Sequence, residues 1–336
     1  MRYLSRTHLV AALIACLAGL PPGAFSDAAS AVTLRHPAMG TEFVFTVYAR
    51  GDDVSTDAVA QFAREAFDAI DDLEARISSW IPDSQTSYLN NHAADGPVRV
   101  SVDLFGLVDT AKEMHARTGG AFDCSVGPLL ALYGFRNASV AQPDAARLAE
   151  ARAKVGMERV RLDSNAGTIA FDIAGMRLDF GGIGKGLALD LAADFLKDRG
   201  VERALLHGGT STVVGIGSPP GESGWTVHIR HPYNADRPLT TVLIRDESLS
   251  TSGCYGAPDA VCDILDPRSG LPVIATLSAT AIAPTATETD ALSTAFLVMG
   301  AEEVGRFCAR NSGVRALVAP TTDSEEPSVL RFGMNK

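Results

Sequence analysis

Residues 177–196 read RLDFGGIGKGLALDLAADFL, an apolar run that breaks into a glycine-rich turn carrying one lysine and resumes as a helical pattern over 186–198. Glycines ahead of a helix let backbone N–H groups approach an anion. The helix N-terminus adds partial positive charge, and Lys185 supplies a full one. Neither common phosphate loop is present. In GxxxxGK[ST] a hydroxyl residue follows the lysine, where this chain has Gly186. In GxGxxG the last position is glycine, and here it is Leu187. Two readings stay open: a phosphate site of another kind, or a glycine-rich turn packed tightly against a sheet.

Around this stretch the pattern changes character. Short β-like runs lie at 158–163, 168–173, 176–180, 203–206, 212–216, 225–230 and 240–245. Upstream, Phe43, Phe45 and Val47 alternate in a strand over 41–49. Val59, Phe62, Ala66, Ile70, Leu73 and Ile77 then form one stripe of a helix over 55–78. A polar loop over 78–97 carries Trp80. A second helix holds Leu104, Leu107, Val108, Ala111 and Met114 and stops at Gly119-Gly120, and a third spans 143–155. Two helical segments near 288–299 and 302–311 precede a last strand. Helices first and a strand-rich half afterwards predict an α+β fold with a mixed or antiparallel sheet.

The 336 residues suit one large domain or two intimately packed ones. Residues 1–26 read as an export signal: Arg2 and Arg6, then the 12-residue apolar run LVAALIACLAGL, then small residues Ala24 and Ser26. Cleavage after Ser26 would release a soluble protein. LIAC at 13–16 also matches a bacterial lipobox, in which Cys16 would be lipidated as a membrane anchor. Both routes place the protein in the periplasm or outside the cell. Losing Arg2 and Arg6 takes the net charge from -11 to -13. So acidic a chain, without a basic run or aromatic platform, is a poor nucleic-acid binder.

Past the signal remain Cys124, Cys254, Cys262 and Cys308, with no CxxC pair or zinc spacing. Cys254 and Cys262 flank YGAPDAV, where either a disulfide or two unpaired thiols would fit. In TETDALSTAFLVMG (287–300) Asp290 and Thr294 are four apart and share a helix face. One carboxylate and one hydroxyl, completed by water and substrate phosphates, is a common way to hold Mg²⁺. Alone the spacing is a weak signal, because helix-dipole stabilisation of Asp290 and simple packing of Thr294 also explain it. Ser252-Gly253 offers a hydroxyl and an N–H to a phosphate, and Asp266-Pro267 with Gly270 has turn chemistry. His228 and His231 lack a third ligand, and no Ser-His-Asp set emerges.

Taken in order, PAMGTEF, SSWIPDSQTSYLN, TGGAFDCSVGPLLALYGF, LDFGGIGKGLALD, LLHGGTSTVVGIG, LSTSG, ILDPRSG and TETDALSTAFLVMG resemble the ApbE family of FAD:protein FMN transferases. The resemblance implies a single large domain of two closely packed lobes over 32–336, a mixed or antiparallel sheet and flanking helices. It implies an enzyme that binds FAD with Mg²⁺, transfers FMN to a Thr or Ser hydroxyl of an acceptor flavoprotein bearing a Ser/Thr-Gly-Ala-Thr-like segment, and releases AMP. Carried over by position, the FAD contacts would be Met39, Trp80, Ala121, Phe122, Asp123, Asp179, Lys185, Ser252 and Ile264. The metal ligands would be Asp290, Thr294 and the carbonyl of Gly182. Trp80 stands where tyrosine is usual, which preserves stacking. The chain departs from the family at DILDPRSG, where Asp263 replaces a histidine regarded as a candidate acid–base group. That departure leaves open an FAD pyrophosphatase giving FMN and AMP, or an exported FAD-binding protein without catalysis.

Overall fold

The structure is a computed structural model in which residues 30–49, 55–135, 142–234, 236–254, 261–322 and 326–334 are described. The expected signal segment 1–26, with Cys16, lies outside the described residues. An eight-stranded sheet dominates. Its strands are β1 (Ala31–Ala38), β2 (Thr41–Tyr48), β6 (Ala204–Gly208), β7 (Thr212–Ile216), β10 (Glu247–Gly253), β13 (Thr276–Ala283), β14 (Arg315–Pro320) and β15 (Leu330–Phe332), adjacent in that order. Every neighbouring pair is antiparallel. A smaller sheet pairs β3 (Val98–Arg99), β5 (Thr168–Phe171) and β4 (Val160–Asp163). Two hairpins complete the strands: β8 (Trp225–Arg230) with β9 (Pro238–Ile244), and β11 (Leu265–Asp266) with β12 (Leu271–Pro272).

The helices are α1 (Thr56–Ile77), α2 (Gln85–His92), α3 (Val102–Arg117), α4 (Gly127–Tyr133), α5 (Ala145–Arg152), α6 (Gly184–Asp198) and α7 (Ala286–Arg310). Ser55 caps α1 by accepting from the Ala58 N–H, and the predicted stripe is buried at Val59, Ala66, Ile70, Leu73 and Ile77. Fully buried Ile70 and Leu73 each contribute roughly 1.5–3 kcal/mol. One face of the large sheet, with Phe43, Phe45, Val47, Leu206 and Val214, packs on these helices. The same continuous core reaches Val98, Ile169 and Phe171 of the small sheet. Its other face, with Val213, Leu249, Ile282 and Leu317, is covered by Trp225, Val227, Ile229 and Ile244 of the β8–β9 hairpin. The fold is therefore α+β and antiparallel, as expected.

Several local expectations are corrected. Residues 176–180 are not a strand. Asn90 takes the place of a neighbouring strand: its Oδ1 accepts from the Leu178 N–H at 2.6 Å and its Nδ2 donates to the Leu178 carbonyl at 2.9 Å. Only one parallel bridge, between Val126 and Arg177, remains there. The polar stretch 78–97 contains α2, capped by Ser84, whose Oγ accepts from the Ser87 N–H at 3.0 Å. β13 escaped notice because both of its faces are buried, so polarity never alternates along it. The two terminal helical segments form one element with a break at Gly300, where φ is 70°.

Candidate active site

The glycine-rich turn and the acidic helix meet. α6 begins after Ile183 without a side-chain cap, so its first N–H groups need an acceptor. One acceptor is Asp290: its Oδ2 takes the Gly186 N–H at 3.0 Å. The sequence suggested that these glycines clear space for a phosphate. At Gly186 the space is taken by the neighbouring helix, because a Cβ there would stand 2.3 Å from the Ala286 carbonyl oxygen. Tight packing of α6 against α7 thus explains Gly186, and the anion at its N–H is a carboxylate of the chain itself.

Asp290 is 3% exposed. Its Oδ1 accepts from the Thr212 hydroxyl at 3.1 Å and the Ser250 hydroxyl at 3.3 Å, and Lys185 Nζ stands 3.8 Å away. Lys185 also donates to the Gly181 carbonyl at 3.1 Å. A buried carboxylate without such donors would cost several kcal/mol. From Asp290 a chain of hydroxyls runs outward. Ser293 Oγ donates to the Asp290 carbonyl at 3.0 Å, and Ser252 Oγ lies 2.9 Å from Ser293 Oγ and 3.2 Å from Thr294 Oγ1. Gly182 closes the group, since a Cβ there would meet Thr294 Oγ1 at 3.1 Å and the Phe122 ring at 3.4 Å. Gly182, Lys185, Ser252, Asp290, Thr294 and Phe122 are thereby brought together.

The donor set of Asp290, Thr294 and Gly182 is all oxygen, which suits a hard divalent cation such as Mg²⁺. Oδ2 of Asp290 keeps acceptor capacity beyond the Gly186 N–H. Among the described residues no three His, Cys, Asp or Glu side chains converge as a metal cage. A cation held here would draw its remaining ligands from water and a bound phosphate.

The other residues carried over by the resemblance lie on separate elements. Met39 occupies the β1–β2 turn with a φ of 51°. Trp80 follows α1 and is 62% exposed, presenting its ring to solvent. Asp179 accepts from the Gly181 N–H at 3.0 Å and from Ser79 Oγ at 2.8 Å. Ile264 packs at the rim of the core, and its carbonyl accepts from the Val273 N–H. Ala121 and Phe122 are buried, and the Phe122 ring lies against Gly182.

Asp123 faces a different environment. Its carboxylate accepts from the Ser125 N–H at 2.7 Å and the Met157 N–H at 3.3 Å, and His115 Nδ1 stands 3.1 Å from it. This contact raises the His115 pKa against the opposing effect of burial. The open cavity of about 470 Å³ lined by His115, Asp123, Arg152 and Arg268 includes neither Asp290 nor Lys185. Asp123 thus lines this cavity while its carboxylate is also hydrogen-bonded within the fold. Asp263 is exposed and makes no side-chain hydrogen bond or ion pair with the described residues. It adjoins a disulfide between Cys254 and Cys262, where the sequence left open either that bond or two unpaired thiols.

Thr212, Ser250 and Ser293 were not singled out by the sequence. Hydroxyls inside strands and helices look like ordinary packing until tertiary structure aims them at one carboxylate. Gly208-Gly209 ahead of Thr212 was the available signal, for Gly209 has a φ of 68° and turns β6 into β7 beside the site.

Comparison with known proteins agrees with this geometry. The ApbE family matches residues 39–318. An FAD:protein FMN transferase of Klebsiella pneumoniae is 30% identical over 83% of this chain and 81% of its own length. One of Treponema pallidum is 32% identical over 75% of each. The flavin transferase ApbE from Vibrio cholerae superposes with a TM-score of 0.79 at 26% identity, covering 90% of this chain and 97% of that one. The chain belongs to the ApbE family.

Proposed function

We propose that this chain is a Mg²⁺-dependent FAD:protein FMN transferase. The observation carrying this reading is the convergence of Lys185, the oxygen donors Asp290, Thr294 and Gly182, and the Ser252 hydroxyl at the N-terminus of α6. FAD supplies what that cluster lacks, a pyrophosphate with dense negative charge. The bound cation would neutralise that charge and act as a Lewis acid. Lys185 adds a second positive charge on the same side, and the buried hydroxyls fix the Asp290 carboxylate, so little reorganisation accompanies reaction. Trp80 offers its exposed ring to the flavin.

In the proposed reaction a Thr or Ser oxygen of the acceptor flavoprotein attacks the phosphorus on the FMN side of the pyrophosphate. The bond to the AMP oxygen breaks, AMP departs, and the hydroxyl proton passes to a base or to water. Asp263, next to Ile264 in the chain, stands where the family commonly has histidine. Its exposure gives it access to solvent. With water as nucleophile the same site would yield free FMN and AMP, and this second reading is favoured by the missing histidine.

Chromatography of FAD, FMN and AMP after incubation with Mg²⁺ tests the reading. Expected is AMP release that stops when EDTA removes the metal. FAD left intact, with and without acceptor, would overturn it.

We also propose export to the periplasm, through cleavage after Ser26 or lipidation at Cys16. The Cys254–Cys262 disulfide supports this, since such bonds persist in oxidising compartments. Among the described residues no helix is long and apolar enough to cross a membrane.

A further inference from the structure

We propose that the C-terminal turn of α1 is a positioning post for the flavin site, with Glu74 as its main residue. Three separate segments assigned to the cofactor are tied to it. The first is the Met39-Gly40 turn. Both residues have positive φ, 51° and 70°, in a two-residue hairpin that normally favours Asn, Asp or Gly at its first position. Methionine is strained there. What holds it is Glu74, whose Oε2 accepts from the Met39 N–H at 2.7 Å, a short, charge-assisted hydrogen bond across 35 residues of chain.

The second segment is the Trp80 loop. Ser78 Oγ accepts from the Trp80 N–H at 3.3 Å, and the Ser78 N–H itself donates to the Glu74 carbonyl at 2.9 Å. The third is the turn ahead of α6, where Ser79 Oγ donates to Asp179 at 2.8 Å. Residues 74–79 thus set the relative placement of Met39, Trp80 and Asp179 from one rigid helix end. Glu74 touches none of the reacting groups. It acts through the backbone of Met39.

This inference rests on the flavin-binding reading of the site. Quenching of flavin fluorescence, titrated with FAD in the presence of Mg²⁺, measures binding directly, and turnover separates KM from kcat. In Glu74→Ala the Kd and KM for FAD rise about tenfold, the loss expected for a hydrogen bond to a charged acceptor, while kcat stays within about twofold. Glu74→Gln keeps an acceptor oxygen and stays within about threefold of the wild type. Ser79→Ala, which leaves the Met39 turn intact, raises Kd by about threefold.

A wild-type chain that binds FAD, with Glu74→Ala binding equally well, would overturn the proposal alone. So would Glu74→Gln as weak as Glu74→Ala. Should Glu74→Ala fail to fold, Ser79→Ala decides, and an unchanged Kd there overturns the proposal. A wild-type chain that does not quench the flavin would overturn the site reading and this inference with it.

Discussion

Asp290 and Asp263 are both acidic residues of the same candidate site, and the chain holds them in opposite ways. Asp290 is buried, fixed by a backbone N–H, two hydroxyls and a nearby lysine, on a helix packed so closely that only glycine fits opposite. Asp263 is exposed, unheld by the described residues, and adjoins a disulfide. Positions that must hold charge in a set place are built into the core, where low dielectric strengthens every contact. A position at the surface, such as Asp263, is open to solvent and to an incoming acceptor. In the proposed reaction, binding of FAD and metal belongs to the rigid side, and exchange of protons with solvent to the open side.

The largest expected effect lies on the rigid side. Asp290→Ala removes the proposed metal ligand, worth several kcal/mol of charge stabilisation, so kcat should fall about a thousandfold. Because it also strands the Gly186 N–H and Lys185, Asp290→Asn serves as companion, keeping the shape while losing the charge. Steady-state AMP release reads both variants. Full activity in either would break the distinction between the two sides.

A smaller effect comes from acid. His207 lies on β6 just before the Gly208-Gly209 turn, and burial depresses its pKa to about 4. The unfolded chain takes up that proton near pH 6.5 and the folded chain does not, so stability present above that pH is lost as it falls towards 4. The full shift corresponds to roughly 3 kcal/mol. Urea midpoints at pH 7.5 and pH 5 should differ, and His207→Leu should narrow the difference. Equal narrowing by a substitution of exposed His228 would contradict this assignment.

The smallest effect is expected on the open side. Asp263→His should raise transfer or leave it within about threefold, since general acid–base groups matter only where the proton is handled. A large drop, seen as lost FMN adduct at unchanged FAD affinity, would give Asp263 a role of its own and sharpen the contrast.

Much of the rigid side was legible from residues alone. The spacing of Asp290 and Thr294, the position of Lys185 and the α1 stripe all follow from helical periodicity. The meeting of the glycine turn with α7 became visible through an ordered set of motifs, because local pattern carries no information about which helices touch. What stayed hidden depends on tertiary placement: Asn90 standing in for a strand, Thr212 and Ser250 aimed at Asp290, and Asp123 turned into the fold towards His115. A short polar side chain reads the same in sequence whether it caps a helix, braces a ligand or faces water.

The most direct measurement is intact mass spectrometry of an acceptor domain bearing a Ser/Thr-Gly-Ala-Thr-like segment, after incubation with this chain, FAD and Mg²⁺. A covalent FMN adduct that forms only with the metal, accompanied by AMP, is the expected result. Free FMN and AMP in equal amounts, with the acceptor unmodified, would contradict transfer and make the chain an FAD pyrophosphatase.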